Sequence, residues 1–87
     1  MDAQSFAEKL PAHLPRLRVL TRRLIGNRDD ADDVLQEALL RANKNLADFR
    51  GASSLETWLY SITMRVGIDH LRARKRWNNQ VMIDACD

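Results

Sequence analysis

Residues 26–76, GNRDDADDVLQEALLRANKNLADFRGASSLETWLYSITMRVGIDHLRARKR, hold two long apolar periodicities separated by one short loop, with none of the period-two alternation that strands require. At 100° per residue, Ala31, Val34, Leu35, Ala38, Leu39, Ala42 and Leu46 fall on one side of a helix. The spacing predicts that this helix begins near Asp29 or Asp30 and continues to about Asp48, its first turn crowded with the acids that the helix dipole favours. FRGAS then interrupts the pattern. Ser53 and Glu56 stand at the spacing of a capping box, which predicts another helix running to about Arg76.

Upstream, Pro11 and Pro15 divide the pattern, predicting a short helix over residues 2–10 and another over residues 14–25, with Pro15 in its first turn and Gly26-Asn27 ending it. Leu17, Leu20 and Leu24 give that helix its core face. The fold class expected is all-α, a compact bundle of three to four helices, with residues 1–76 as the domain and residues 77–87 as a frayed or disordered tail that starts a linker.

Eighty-seven residues, 45% of them apolar, suffice for one core and leave no room for a second domain or a deep catalytic cavity. No run approaches the roughly 18 apolar residues of a membrane span, and the opening MDAQSFAEKL is too polar for a secretory signal, so the expected setting is the cytoplasm without membrane insertion. Cys86 is the single cysteine and offers neither a disulfide nor a CxxC metal site. DDADD lacks the glycine and distal glutamate of a calcium loop, and capping accounts for it. His13 and His70 are far apart, no nucleophile–base motif or phosphate-binding glycine loop is present, and neither catalysis nor a cofactor is expected.

Charge is sorted along the chain. The net +2 divides into +3 over residues 1–25, −2 over 26–50 and +1 over 51–87, with Arg72, Arg74, Lys75 and Arg76 gathered near the end of the last helix. Opposite the core stripe of the acidic helix, Asp33, Gln36, Glu37, Leu40 and Lys44 align, a leucine inside a polar rim. One outward leucine is ordinary surface, but this arrangement also suits protein docking. The last helix is apolar on two sides, Leu55, Leu59, Ile62 and Val66 on one and Tyr60, Met64, Ile68 and Leu71 on the other, which predicts packing between neighbours with two narrow solvent seams. One seam carries Trp58, Ser61, Arg65, Arg72 and Arg76; the other carries Thr63, Gly67, His70 and Arg74. An aromatic ring with three guanidinium groups on one track can grip a single nucleic-acid strand, and it can equally be a core ring beside solvated arginines.

DVLQEALLRA, then FRGASSLETWLYSI, then RVGIDHLRARKR resembles region 2 of bacterial sigma factors, most closely the extracytoplasmic-function group, over residues 14–76. The resemblance implies that Asp33, Gln36, Glu37 and Leu40 dock on the clamp helices of the largest subunit of the RNA polymerase core. It implies further that the last helix and its preceding loop bind the non-template strand of the minus-ten promoter element. Arg50, Gly51, Ala52, Ser53 and Ser54 would form a pocket for a flipped base, and Trp58, Ser61, Arg65, Arg72 and Arg76 would lie along the strand. An anti-sigma factor could cover both faces.

Three features depart from the family pattern. Leu59 stands where primary sigma factors carry a second tryptophan, Arg65 where many relatives have asparagine, and the chain stops short of the helix-turn-helix domain that normally reads the minus-thirty-five element. The alternative function is a helical adaptor that binds a regulatory protein without reading DNA sequence.

Overall fold

The computed structural model describes the backbone of residues 1–86 and the side chains of residues 1–77. Three α-helices follow one another, α1 (Ala3–Ile25), α2 (Arg28–Lys44) and α3 (Leu55–Cys86), with one 3-10 turn, Leu46–Asp48, after α2. Every pair of helices is in contact. The expectation of an all-α bundle of three to four helices is met with three, the two helices foreseen over residues 2–10 and 14–25 being one.

The difference lies in α1, which runs unbroken through both prolines. Pro11 and Pro15 cannot donate to the carbonyls of Ala7 and Pro11 four residues earlier. Residues 7, 11 and 15 share one face of the helix, and all three are exposed, so the orphaned carbonyls can turn to water. The rest of the helix is well anchored. Asp2 caps it by accepting from the backbone N–H of Ser5 at 2.8 Å, while Phe6 and Leu17 are buried. The same hydrogen bond from Ser5 holds the Asp2 carboxyl below its ordinary range.

Gly26, at φ 81°, closes α1 with its N–H on the Arg22 carbonyl, a left-handed conformation that glycine adopts without strain. Asn27 immediately caps α2, accepting from Asp30 N–H at 3.1 Å, so α2 starts at Arg28, slightly ahead of expectation. It also ends earlier, at Lys44, because the chain tightens into the 3-10 turn. At the start of α3 the cap is Ser54, not Ser53. Its Oγ accepts from Thr57 N–H at 3.1 Å, while Glu56, expected in a capping box, pairs with Arg16 of α1.

The α2 stripe lies in the core as its periodicity predicts, with Ala31, Val34, Leu35, Ala38, Ala42 and Leu46 buried and Leu39 half-buried. It meets Phe6 and Leu17 of α1 and Leu55, Leu59 and Val66 of α3. The expectation for α3 requires correction. Its second apolar stripe is not packed between neighbours: Tyr60 and Ile68 are exposed, and Met64 and Leu71 are half-buried. The supposed solvent seam goes inward instead, with Thr63 and Gly67 buried. A Cβ at residue 67 would overlap a methyl of Leu24, so glycine is what lets α1 and α3 approach there. Thr63 stays in the core because its hydroxyl donates to the Leu59 carbonyl at 2.8 Å.

Helical backbone continues past the expected end near Arg76 to Cys86, a stretch with neither glycine nor proline to stop it. The expectation of a frayed tail falls almost wholly on residues 78–87, whose side chains lie outside the described residues, as does Asp87 altogether. No helix among the described residues is long and apolar enough to cross a membrane.

Because Pro15 costs α1 the hydrogen bond to the Pro11 carbonyl that alanine would restore, Pro15→Ala should raise stability by about 1–3 kcal/mol. The shift would be read from the urea midpoint at constant m-value.

Candidate functional site

Two outer surfaces gather the candidate residues. On α2, commitment of one side to the core turns the opposite side outward, so Asp33, Gln36, Glu37 and Leu40 are all exposed on one face, with Leu40 at 66% of its full exposure. Glu37 reaches Arg41 at 3.5 Å, and Glu37, Leu40, Arg41 and Lys44 border a shallow depression. The patch therefore has an apolar centre, carboxylates toward its N-terminal end and cations toward its C-terminal end.

The second surface begins at the loop between the 3-10 turn and α3. Arg50, Gly51, Ala52, Ser53 and Ser54 are exposed, and Gly51 takes a left-handed φ of 76°. No described hydrogen bond engages the backbone N–H groups of these five residues. Ser54 is less free than its neighbours, since its hydroxyl accepts from Thr57 N–H and sits 3.0 Å from the Thr57 hydroxyl.

Trp58 falls between the two alternatives left open by the sequence. It is half-buried, packed against the core cluster, and its ring lies 5.2 Å from that of Phe49 at an interplanar angle of 46°. The indole is neither sealed in the interior nor free to swing. Phe49 precedes the loop and Trp58 follows its cap, so the tilted pair pins the base of the loop. Sequence reasoning placed no role on Phe49; an aromatic beside a turn gives no sign of which ring it will meet.

Beyond Trp58, Ser61, Arg65, Arg72 and Arg76 are exposed along one side of α3, a track of about 27 Å at 1.5 Å per residue. Ser61 donates its hydroxyl to the Thr57 carbonyl at 3.0 Å and so offers mainly acceptor capacity. Asp69 was missed. At i+4 from Arg65 and i−3 from Arg72 it stands on the same track, and it borders a shallow depression with Arg72, Lys75 and Arg76. The helical wheel could have found it.

Arg74 leaves the basic cluster, because it turns to α2 and pairs with Asp30. His70 Nε2 stands 3.9 Å from the same carboxylate, buried and without a hydrogen-bond partner. One acid of DDADD thus clasps the start of α2 to α3. Among the described residues no group of three or more His, Cys, Asp or Glu side chains is placed to hold a metal ion.

The sigma-70 region 2 family model matches residues 11–77. The chain belongs to that family. It is 39% identical over 72 residues to the ECF RNA polymerase sigma factor EcfG of Rhodopseudomonas palustris, covering 83% of this chain and 40% of that protein. It is 34% identical over 74 residues to the ECF RNA polymerase sigma factor SigW of Bacillus subtilis, covering 85% of this chain and 40% of that one. To the RNA polymerase sigma-H factor of Pseudomonas aeruginosa it is 43% identical over 75 residues, covering 86% and 39%. The region 2 chain spans about two fifths of the length of these relatives.

If Phe49 braces the loop through Trp58, Phe49→Ala should cost about 1–3 kcal/mol, less than a fully buried phenylalanine. It should also weaken the near-ultraviolet circular dichroism of the indole, whereas Phe49→Tyr should preserve both.

Proposed function

We propose that this region 2 chain is the promoter-recognition module of a transcription initiation factor and not itself an enzyme. Asp33, Gln36, Glu37 and Leu40 dock on the clamp helices of the largest RNA polymerase subunit. The loop Arg50–Ser54 and the α3 track bind the non-template strand of the minus-ten element, in the cytoplasm where polymerase works. The observation that supports this reading best is the placement of a polar-rimmed leucine and an arginine track with its ring on separate outer surfaces of one bundle, both open to solvent.

The mechanism follows from what each group can do. Backbone N–H groups and Ser53 of the loop would hold the edge of an unstacked base. The braced indole of Trp58 supplies a wall that need not be ordered on binding. Arg65, Arg72 and Arg76 would meet phosphates, and three single-strand contacts give a salt slope of only about −2. Stacking of one base adds roughly 1–3 kcal/mol, while flipping it from a duplex costs a few kcal/mol. The isolated domain accordingly grips an already open strand and melts duplex poorly, and polymerase supplies the missing affinity by holding it close to the DNA.

Fluorescence anisotropy with single-stranded minus-ten oligonucleotides tests the reading. Arg65→Ala with Arg72→Ala should weaken binding about tenfold at low salt and flatten the salt slope by about 1.4. Indifference to both removes the DNA-binding role. Asp69→Asn should do the reverse, tightening binding about two- to fivefold at low salt, with the gain fading as salt screens the charge.

A regulatory protein partner, such as an anti-sigma factor, is favoured by one further observation. Val19 and Tyr60, each about half exposed, meet over a groove completed by Pro15, Leu20, Arg16 and Arg23. Dependence of binding on oligonucleotide sequence separates promoter recognition from a pure adaptor role, because an adaptor gives none.

A further inference from the structure

The groove between α1 and α2 gathers three guanidinium groups around a single carboxylate. Arg18 and Arg22 of α1 and Arg28 of α2 line it, beside Asp32 and Gln36 and over Leu35. Arg22 lies in the last turn of α1, where the helix dipole favours a cation. Arg18 has no such reason to be there, and it stands four residues from Arg22, a spacing at which like charges repel. Arg28 is the first residue of α2, at the positive end of that helix, where a cation is disfavoured, and Asp32 four residues on is the one carboxylate in the groove to offset it. The ion pairs among the described residues, Arg16–Glu56, Arg41–Glu37 and Arg74–Asp30, include none of the three.

We infer that this groove receives carboxylate side chains of the same protein that docks on Gln36, Glu37 and Leu40, so that the docking surface continues from the outer face of α2 onto α1. The inference rests on the docking role proposed above. Gln36 belongs to both the groove and the docking face, which makes them one surface. Each guanidinium presents a planar fork that matches a carboxylate in two parallel hydrogen bonds. The buried Leu35 beneath them reduces competition from water.

The consequence is orientation. Asp33 and Glu37 call for cations on the partner, and the groove calls for acids beside them. A partner element docked in reverse would set like charges against each other on both sides of Leu40.

The test titrates the full 87-residue chain with the clamp-helix fragment of the polymerase largest subunit at low and high salt, following binding by calorimetry. Arg18→Glu with Arg28→Glu should weaken binding by about tenfold or more at low salt, and the glutamine versions should weaken it less. Thermal melting should shift little, because a carboxylate at position 28 suits the start of α2 but faces Asp32 four residues on, and affinity for a single-stranded minus-ten oligonucleotide should hold. If Leu40→Asp weakens docking and both arginine variants bind as the parent does, the groove proposal is overturned while the docking role stands. If Leu40→Asp leaves docking unchanged, the docking role fails and the groove proposal with it. Loss of oligonucleotide affinity equal to the loss of docking would make the groove a phosphate site and overturn the proposal as well.

Discussion

The bundle depends on the narrow apolar stripe of α2. Three of its buried positions, Ala31, Ala38 and Ala42, are alanines, so α1 and α3 can approach α2 closely while Val34 and Leu35 fill the space between them. The other helices supply the large side chains, Phe6 and Leu17 from one and Leu55, Leu59 and Val66 from the other. A helix that spends one face on two neighbours has its opposite face for solvent or a partner. Leu40 is exposed because Ala38 and Ala42 are not, and the chemistry of this outer face follows from the geometry of the core.

That is also why α2 was legible. Its stripe has one period and one hydrophobic side, and a wheel assigns inside and outside without further information. The α3 wheel offered two apolar sides and chose wrongly between its seams, because burial there follows size as well as hydrophobicity. Gly67 and Thr63 go inward where α1 approaches, one because it has no side chain and the other because its hydroxyl is satisfied by its own helix. Tyr60 and Ile68 go outward despite being large and apolar. The prolines of α1 misled for a related reason: their cost is local, while the anchorage that overrides it, Phe6 and Leu17 in the core, is tertiary. Trp58 could not be assigned from sequence at all. Its state depends on Phe49, which lies across a loop whose path no periodicity records.

Electrostatics divide the surface in a way the charge totals only hint at. Acids concentrated in α2 serve three separate purposes: Asp30 clasps α3 through Arg74, Asp33 and Glu37 face outward, and Asp32 lies in the arginine groove. Cations near the end of α3 divide likewise, Arg74 toward Asp30 of α2 and Arg72, Lys75 and Arg76 toward solvent. Such exposed pairs are worth little as stability, typically about 0–1 kcal/mol. Their weight lies in fixing which residues remain available to partners.

Asp69 makes the same point on the side proposed to bind the strand. A carboxylate between Arg65 and Arg72 weakens the field of a track that is already sparse in cations, which is poor design for tight binding and sound design for selective binding. With phosphate attraction kept low, a larger share of the free energy must come from contacts that depend on the base, through the loop and the braced indole. A domain that holds single strands weakly on its own releases wrong sequences readily. On the proposed reading it gains occupancy only where a docked polymerase raises its local concentration. Under the proposed function, the two outer surfaces are therefore coupled through effective concentration, without any conformational signal having to pass through the core between them.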